Sequence, residues 1–123
     1  MKEIVCGGRD YDDRQAVFSF LDRFQHNEGR ISCLIEGGTT GADRLAAEWT
    51  KHHRVTLDTH PANWEEHGRA AGPIRNAEML LEKPDFVIAF PGGRGTENMV
   101  KQAKEARVTV FRAPNEQPWA TAE

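Results

Sequence analysis

Three glycine-rich segments carry the residue types that bind anions. They read GGRDY from residue 7, EGGTTGAD from residue 36 and PGGRGT from residue 91. Glycine allows backbone N–H groups to approach a phosphate closely, and one arginine guanidinium can hold two phosphate oxygens. The sequence therefore predicts a ligand that contains phosphate. The alternative, for any one segment, is that its glycines only permit a tight turn.

The candidate ligand-binding residues come from these segments and from the run that precedes the third one. They are Gly7, Gly8, Arg9, Gly37, Gly38, Thr39, Gly41, Ala42, Asn76, Pro91, Gly92, Gly93, Arg94, Gly95 and Thr96. Two familiar phosphate motifs do not fit. GGTTGAD lacks the Lys-Ser/Thr ending of a P-loop, and a GxGxxG from Gly93 would need glycine at Asn98. Walker-type ATP hydrolysis and ordinary NAD binding are therefore disfavoured, and we predict no cofactor.

The elements that must position these segments alternate in type. Apolar residues within 17–24 recur with helical spacing, and the same spacing returns in later runs. Short apolar runs at residues 4–6, 31–35, 55–57, 85–90 and 108–111 predict strands between the helices. This alternation predicts an α/β protein: a Rossmann-like three-layer α/β/α fold with a mainly parallel five-stranded sheet.

The predicted topology brings the glycine-rich segments together. In a sheet of order 3-2-1-4-5, the switch point lies between the first and fourth strands, and ligands bind there at the carboxyl ends of the strands. The three segments follow the first, second and fourth strands. We therefore expect them to line a single cleft.

Length and charge restrict the class of protein. The 123 residues correspond to one domain, predicted over residues 1–112, with a flexible tail at 113–123. A formal charge of -3 argues against a broad nucleic-acid-binding surface. We find no signal peptide and no apolar run near the roughly 20 residues of a membrane span, and so predict no membrane partner and a cytoplasmic location. The cysteines and histidines lack zinc-binding spacing, so no metal site is predicted.

The stretch at residues 60–72 is predicted to be a loop. Trp64 either stacks on a base or plugs the edge of the core. His67 either titrates near neutral pH or is merely exposed. A helix is predicted to begin near Pro73, since proline is tolerated at a first helical position.

Several motifs resemble a known superfamily. PGGRGT resembles the PGGxGT signature of the Lonely guy and lysine-decarboxylase-like proteins of the SLOG superfamily, and RNAEM at residues 75–79 is similar to a segment upstream of it there. The whole set of GGRDY, EGGTTGADRLAAEW, ANWEEHGRAAGPIRN and FPGGRGTENMV resembles the YspA, cpYpsA-related SLOG family over nearly all of residues 1–112. The resemblance implies a Rossmannoid fold, a nucleotide or nucleotide-derived ligand and a homo-oligomer.

The resemblance also implies candidate catalytic residues. Lonely guy phosphoribohydrolases, which release the base from a nucleoside 5'-monophosphate, use a glutamate pair after the glycine signature and an arginine before it. Arg75 matches that arginine, but the glutamate pair falls on Asn98 and Met99 and is missing. Cleavage of an N-glycosidic bond needs a carboxylate. The carboxylates that remain as candidates are Asp43, Glu36 and Glu97.

Each candidate side chain has a structural alternative. Asp43 is also suited to complementing a helix dipole, and Glu36 to a buried polar network. Arg9 and Arg75 are suited either to phosphate contacts or to ion pairs, and Arg94 either to an auxiliary phosphate contact or to an exposed position.

Three functions are left open by the sequence. The leading hypothesis is binding of a nucleotide-like small molecule. The first alternative is a nucleoside 5'-monophosphate phosphoribohydrolase that uses Arg75 with Asp43, Glu36 or Glu97. The second is a single-stranded DNA-binding protein, like the DNA-processing branch of the same superfamily, which the negative charge disfavours.

Overall fold

Five strands alternate with helices in the computed structural model, which describes residues 1–119. The elements in chain order are β1 (Lys2–Cys6), α1 (Arg14–Glu28), β2 (Cys33–Glu36), α2 (Ala42–His53), β3 (Thr56–Thr59), α3 (Trp64–His67), a 3-10 turn (Gly68–Ala70), α4 (Ala71–Leu81), β4 (Phe86–Ala89), α5 (Arg94–Glu105) and β5 (Thr109–Arg112).

The strands form one sheet of order β3-β2-β1-β4-β5. Every pairing among the described residues is parallel, and Ile4 at the centre pairs with Ile35 on one side and Val87 on the other. The predicted Rossmann-like α/β fold is confirmed, and the strand order is the common one that the sequence analysis assumed. The carboxyl ends of β1, β2 and β4 therefore lie side by side, and the loops that follow them share one edge of the sheet.

Helices cover both faces of the sheet, because its buried strands send successive side chains to opposite sides. Val5 on β1 packs into a core with α1 and α2, where Trp49 is fully buried. Ile4 on the same strand packs into the opposite core with α4 and α5, beside Met79 and Met99. Both faces are thus closed to solvent, and the strand ends are left as the place for a site.

The stretch at residues 60–73 differs from the sequence-based expectation. Residues 60–72, predicted to be a loop, contain the short helix α3, whose N-cap Asn63 accepts a hydrogen bond from the backbone N–H of Glu66 at 3.1 Å. Helix α4 begins at Ala71, two residues before Pro73.

In the predicted tail, Ala113 is buried, and the rings of Trp119 and Phe20 lie 5.0 Å apart. Residues 120–123 of that tail lie outside the described residues.

None of the helices within residues 1–119 is both long enough and apolar enough to span a membrane.

The side-chain carboxyl group of Glu3 is fully buried in the core. It lies on β1 between its register partners Leu34 and Phe86, is 0% exposed, and has no hydrogen-bond partner within residues 1–119 for either oxygen. Burial, with a smaller contribution from Asp85, raises the pKa of Glu3 to about 9. The folded chain therefore keeps this proton over a pH range in which the unfolded chain, with a pKa near 4.5, releases it.

We predict that Glu3→Gln becomes more stable than the wild type as the pH rises. Ionisation of Glu3 in the unfolded state lowers the wild-type free energy of unfolding by at most about 1.4 kcal/mol per pH unit between the two pKa values. The glutamine has no proton to release. In urea unfolding, the free energy of unfolding of the variant relative to the wild type should increase by on the order of 3 kcal/mol from pH 5 to pH 8.

Glu78→Gln is the matched control for Glu3→Gln, because it makes the same substitution at an exposed position. Its stability relative to the wild type should change little with pH. If the free energies of unfolding of Glu3→Gln and the wild type differ by the same amount at pH 5 and pH 8, the buried, protonated state of Glu3 is contradicted.

Candidate functional site

The loops after β1, β2 and β4 are bonded to one another through Gly8. Its N–H donates to the carbonyl of Pro91 at 2.8 Å, and its carbonyl accepts from the N–H of Ala42 at 3.2 Å. A Cβ at Gly92 would lie 2.6 Å from the Gly8 nitrogen, and a Cβ at Gly41 would collide with the Gly8 carbonyl oxygen. These glycines are required by the close approach of backbone to backbone.

The three loops and the start of α4 enclose a cleft of about 960 Å³. This volume is within the range of small-molecule sites. The predicted site residues that line it are Gly7, Gly8, Arg9, Gly37, Thr39, Asp43, Arg75, Asn76, Pro91, Gly92, Gly93, Arg94, Gly95 and Thr96. The predicted site residues that do not line it are Glu36, Gly38, Gly41 and Ala42.

The N-terminus of α2 is already occupied by the protein. The N–H of Ala42 is bonded to Gly8, and the carboxylate of Asp43 lies in the first turn. Gly41, the N-cap, has a φ of 73°, a conformation that favours glycine. Gly41 and Ala42 therefore hold the loops together behind the cleft instead of lining it.

The N-terminus of α5 is open to the cleft. Its N-cap is Gly93, no side chain within residues 1–119 caps it, and its first residues Arg94 and Gly95 line the cavity. Its first turn also carries Glu97. A Cβ at Gly93 or Gly95 would meet nothing within 4 Å, and neither residue has a positive φ. Packing and backbone conformation therefore give no reason for these two glycines. A helix N-terminus with free N–H groups is suited to an anion.

Asp43 bonds to the loop after β2. Its Oδ2 accepts from the N–H of Gly37 at 3.2 Å, and from the N–H and hydroxyl of Thr39 at 3.3 and 2.9 Å. No group in residues 1–119 donates a hydrogen bond to Oδ1. Burial raises the pKa of Asp43, against the opposing effect of the Thr39 hydrogen bonds. One carboxylate oxygen thus remains available to a ligand.

Arg75 is buried opposite Asp43 across Gly37. Its Nη1 donates to the carbonyl of Gly37 at 2.7 Å, and its Nε to Asn76 Oδ1 at 3.0 Å. A Cβ at Gly37 would collide with Nη1, so glycine is needed there for the arginine to fit. Burial lowers the pKa of Arg75, and the nearby Asp43 opposes the shift. The guanidinium keeps its charge, because the ordinary pKa of arginine is far above neutrality.

Two of the three candidate carboxylates are committed elsewhere. Glu36 accepts from the N–H of Gly38 at 2.8 Å and from the Thr59 hydroxyl, which directs it toward β3. Burial raises the pKa of Glu36. Glu97 is held by both terminal nitrogens of Arg112, at 2.6 and 2.8 Å, and this hydrogen bonding lowers the pKa of Glu97. Of the three, only Asp43 lines the cleft.

The position of the missing glutamate pair is occupied by an amide network. Asn98 Oδ1 accepts from Asn76 Nδ2 at 3.1 Å and from Gln102 Nε2 at 2.7 Å, and Asn76 also donates to the Gly95 carbonyl at 3.2 Å. This network joins α4 to the first turn of α5. It offers amide groups where a carboxylate is absent.

The cleft also contains residues that sequence reasoning did not select as site residues. They are Cys6, Asp10, Tyr11, Trp64, Arg69, Gly72, Pro73, Met79 and Asn98. Most of them lie in motifs that the sequence analysis had quoted. Asp10 and Tyr11 belong to GGRDY, and four more belong to ANWEEHGRAAGPIRN at residues 62–76. Burial raises the pKa of the Cys6 thiol far above its usual range, so the thiol stays protonated and is a poor nucleophile.

One group of possible metal ligands lies apart from the cleft lining. His60 Nε2 is 3.2 Å from Asp58 Oδ2 and 3.0 Å from Glu82 Oε2. Hydrogen bonds, from Glu82 first and then from His60, lower the pKa of Asp58. The sequence analysis predicted no metal site and missed this group, because Glu82 lies 22 residues beyond His60 in the chain. Hydrogen bonding alone accounts for its geometry.

Comparisons with known proteins agree with this architecture. A family model described as YspA, cpYpsA-related SLOG family matches residues 1–67. The Gene 61 protein of Mycobacterium phage D29 is 35% identical over 115 residues, which cover 88% of this chain and 92% of that protein. The X-ray structure of TM1055, a structural genomics target, is similar with a TM-score of 0.69 at 19% identity, over 97% of this chain and 78% of that one. At that identity the likeness concerns the fold alone.

We predict opposite effects on stability for alanine at two glycines of the site. Gly41→Ala should lower the free energy of unfolding by about 2 kcal/mol or more, because the residue has a positive φ and its Cβ would collide with Gly8. Gly95→Ala should raise it by about 0.5 kcal/mol, since Gly95 is helical and its Cβ would meet nothing. Thermal and urea unfolding measure both, and a destabilised Gly95→Ala would contradict the open space at α5.

Proposed function

The chain belongs to the YspA, cpYpsA-related SLOG family, and we propose that it binds a nucleotide or nucleotide-derived ligand with the phosphate at the N-terminus of α5. Membership of the SLOG family implies ligands related to nucleotides in general. The position of the phosphate is a proposal from the geometry of the cleft.

The observation that carries this proposal is the contrast between the two helix N-termini at the cleft. Each helix has a glycine N-cap and an acidic residue in its first turn, Asp43 in α2 and Glu97 in α5. At α2 the first N–H, of Ala42, donates to the Gly8 carbonyl. At α5 the carboxylate of Glu97 is bonded to Arg112, and the first residues of the helix line the cavity. An anion at an open helix N-terminus gains roughly 0.3 to 1 kcal/mol from the dipole, and more when partly buried. Arg94 and Arg69 line the same cavity and would add positive charge.

The other wall of the cleft suits the hydroxyl groups of a ribose. Asp43 retains a free carboxylate oxygen, which would accept hydrogen bonds from vicinal hydroxyls, and Arg75 is held rigidly beside it. In this arrangement the sugar lies between α2 and α4 while the phosphate lies at α5. The remaining glycines of the site allow the backbone to approach both parts of the ligand.

A second candidate function is hydrolysis of the N-glycosidic bond of a nucleoside 5'-monophosphate. It is favoured by one observation: Asp43 and Arg75 lie together in the cleft, and burial raises the pKa of Asp43, as suits a group that exchanges a proton. Binding without turnover is the first choice, because Glu36 and Glu97 have other partners.

The family resemblance also suggests a homo-oligomer, and this stays a prediction, as does the cytoplasmic location. The formal net charge of -3 gives no support to single-stranded DNA binding, which would require phosphate contacts along a groove.

We predict that Gly95→Asp weakens binding of AMP by about 10- to 100-fold, because it adds a negative charge beside the proposed phosphate. The variant should fold, since an acidic residue complements a helix N-terminus. Calorimetric titration with AMP, ribose 5-phosphate and adenosine is the measurement. The two phosphorylated ligands should lose affinity while adenosine does not.

Gln15→Asp is the matched control for Gly95→Asp. Gln15 is the exposed second residue of α1, just as Gly95 is the second residue of α5, so the control places the same charge in the same helical position. Equal weakening of AMP binding in both variants would show a general charge effect and would reject the phosphate position at α5.

We predict that, if AMP is cleaved, Asp43→Asn reduces release of adenine by about 100-fold or more while AMP affinity changes only a few-fold. The asparagine oxygen can still accept the hydrogen bonds from Gly37 and Thr39 that hold the loop. Chromatography of free base measures turnover and calorimetry measures binding. Unchanged release by the variant would exclude Asp43 as the catalytic carboxylate.

A further inference from the structure

Trp64 is an indole that the fold leaves open to the cleft. It is the first residue of α3, is 47% exposed and lines the cavity. Most large aromatic side chains here are buried, as Trp49 and Phe24 are in the core beneath α1 and α2. Trp64 therefore does not plug the edge of the core, the alternative that the sequence had left open.

The backbone around Trp64 holds the indole in place. The Asn63 side chain caps α3 and also donates from Nδ2 to Glu66 Oε2 at 3.1 Å. A Cβ at Gly72 would lie 3.5 Å from the outer edge of the indole, Cη2. The outer edge of the indole thus lies against the start of α4, at a distance that would also admit a Cβ at residue 72.

An arginine lies over one face of the indole. The guanidinium carbon of Arg9 lies 5.5 Å from the ring centroid. The Arg9 side chain makes no hydrogen bond or ion pair with any other side chain within residues 1–119. Arg9 is exposed, so a flat ligand could displace it at little cost, and its guanidinium plane could then lie on the ligand's other face.

We propose that Trp64 is the stacking platform for the base of the ligand, with Arg9 as its mobile cover. The inference rests on the proposed function, since the ligand must carry an aromatic base as well as a phosphate. Trp64 and the N-terminus of α5 line the same cleft, so one nucleotide-sized molecule can engage both. Stacking on an indole distinguishes a nucleotide from a sugar phosphate and tolerates different bases, because every base has a π-face.

The test separates the base from the phosphate. Wild type, Trp64→Ala and Trp64→Phe are titrated by calorimetry with AMP, GMP, CMP and UMP, and with ribose 5-phosphate, which has no base. We expect Trp64→Ala to weaken the best-bound mononucleotide by about 5- to 150-fold and to leave ribose 5-phosphate within about 2-fold. Trp64→Phe should retain most of the affinity, because a smaller aromatic ring still stacks.

Ligand-dependent fluorescence gives a second readout. Binding of the mononucleotide should quench indole emission in the wild type, and this quenching should vanish in Trp64→Ala, although Trp49 and Trp119 remain. If Trp64→Ala weakens the mononucleotide and ribose 5-phosphate equally, or weakens neither, the stacking role is rejected while the proposed function stands. If the wild type binds none of these ligands, the proposed function is rejected and the platform with it.

Discussion

The site depends on the backbone of Gly8, which is bonded to both neighbouring loops. Its carbonyl accepts from Ala42 and its N–H donates to Pro91, so the loop after β1 is fixed between the loops after β2 and β4. Chains can approach this closely only where opposing residues lack a Cβ, and Gly41 and Gly92 meet that condition. The walls of the cleft are therefore built by main-chain contacts that need no ligand to form, which is the arrangement expected of a preorganised binding site.

A consequence of this packing is an electrostatic difference between two helices that start at the same edge of the sheet. The N-terminus of α2 faces the Gly8 carbonyl and carries Asp43. The N-terminus of α5 carries Glu97, but that carboxylate is bonded to Arg112, and a Cβ at Gly93 or Gly95 would meet nothing within 4 Å. The cleft thus has Asp43 and Arg75 side by side on one wall and a helix N-terminus on the other, where we propose that the phosphate binds. A ligand with hydroxyl groups at one end and a phosphate further along matches both walls, and a mononucleotide has this order of groups.

The carboxylates show how far the family resemblance extends to chemistry. Glu36 is bonded to Thr59 and Glu97 to Arg112, so neither is directed into the cleft, and Asn98 stands in an amide network with Asn76. An amide can orient a ligand but cannot stabilise an oxocarbenium-like charge as a carboxylate does. This favours recognition over turnover and leaves Asp43 as the residue on which any hydrolysis would depend.

The sequence by itself determined a parallel α/β sheet with three glycine-rich loops at the ends of its strands, because strand–helix alternation and the handedness of crossovers allow few alternatives. The meeting of the loops followed only from the common strand order 3-2-1-4-5, which the sequence analysis assumed and the structure has. Only the tertiary structure decided what each site residue contacts. A side chain at a strand end can turn to the cleft or to the next strand, and Glu36 turned to β3 because the Thr59 hydroxyl lies there. A glycine can make room for a ligand or for a neighbouring backbone. A Cβ at Gly41 would collide with the Gly8 carbonyl oxygen, whereas a Cβ at Gly95 would meet nothing within 4 Å, and this difference is visible only in the structure. Four residues are too few to reveal helical spacing, so α3 and the exposure of Trp64 could not be read from the chain.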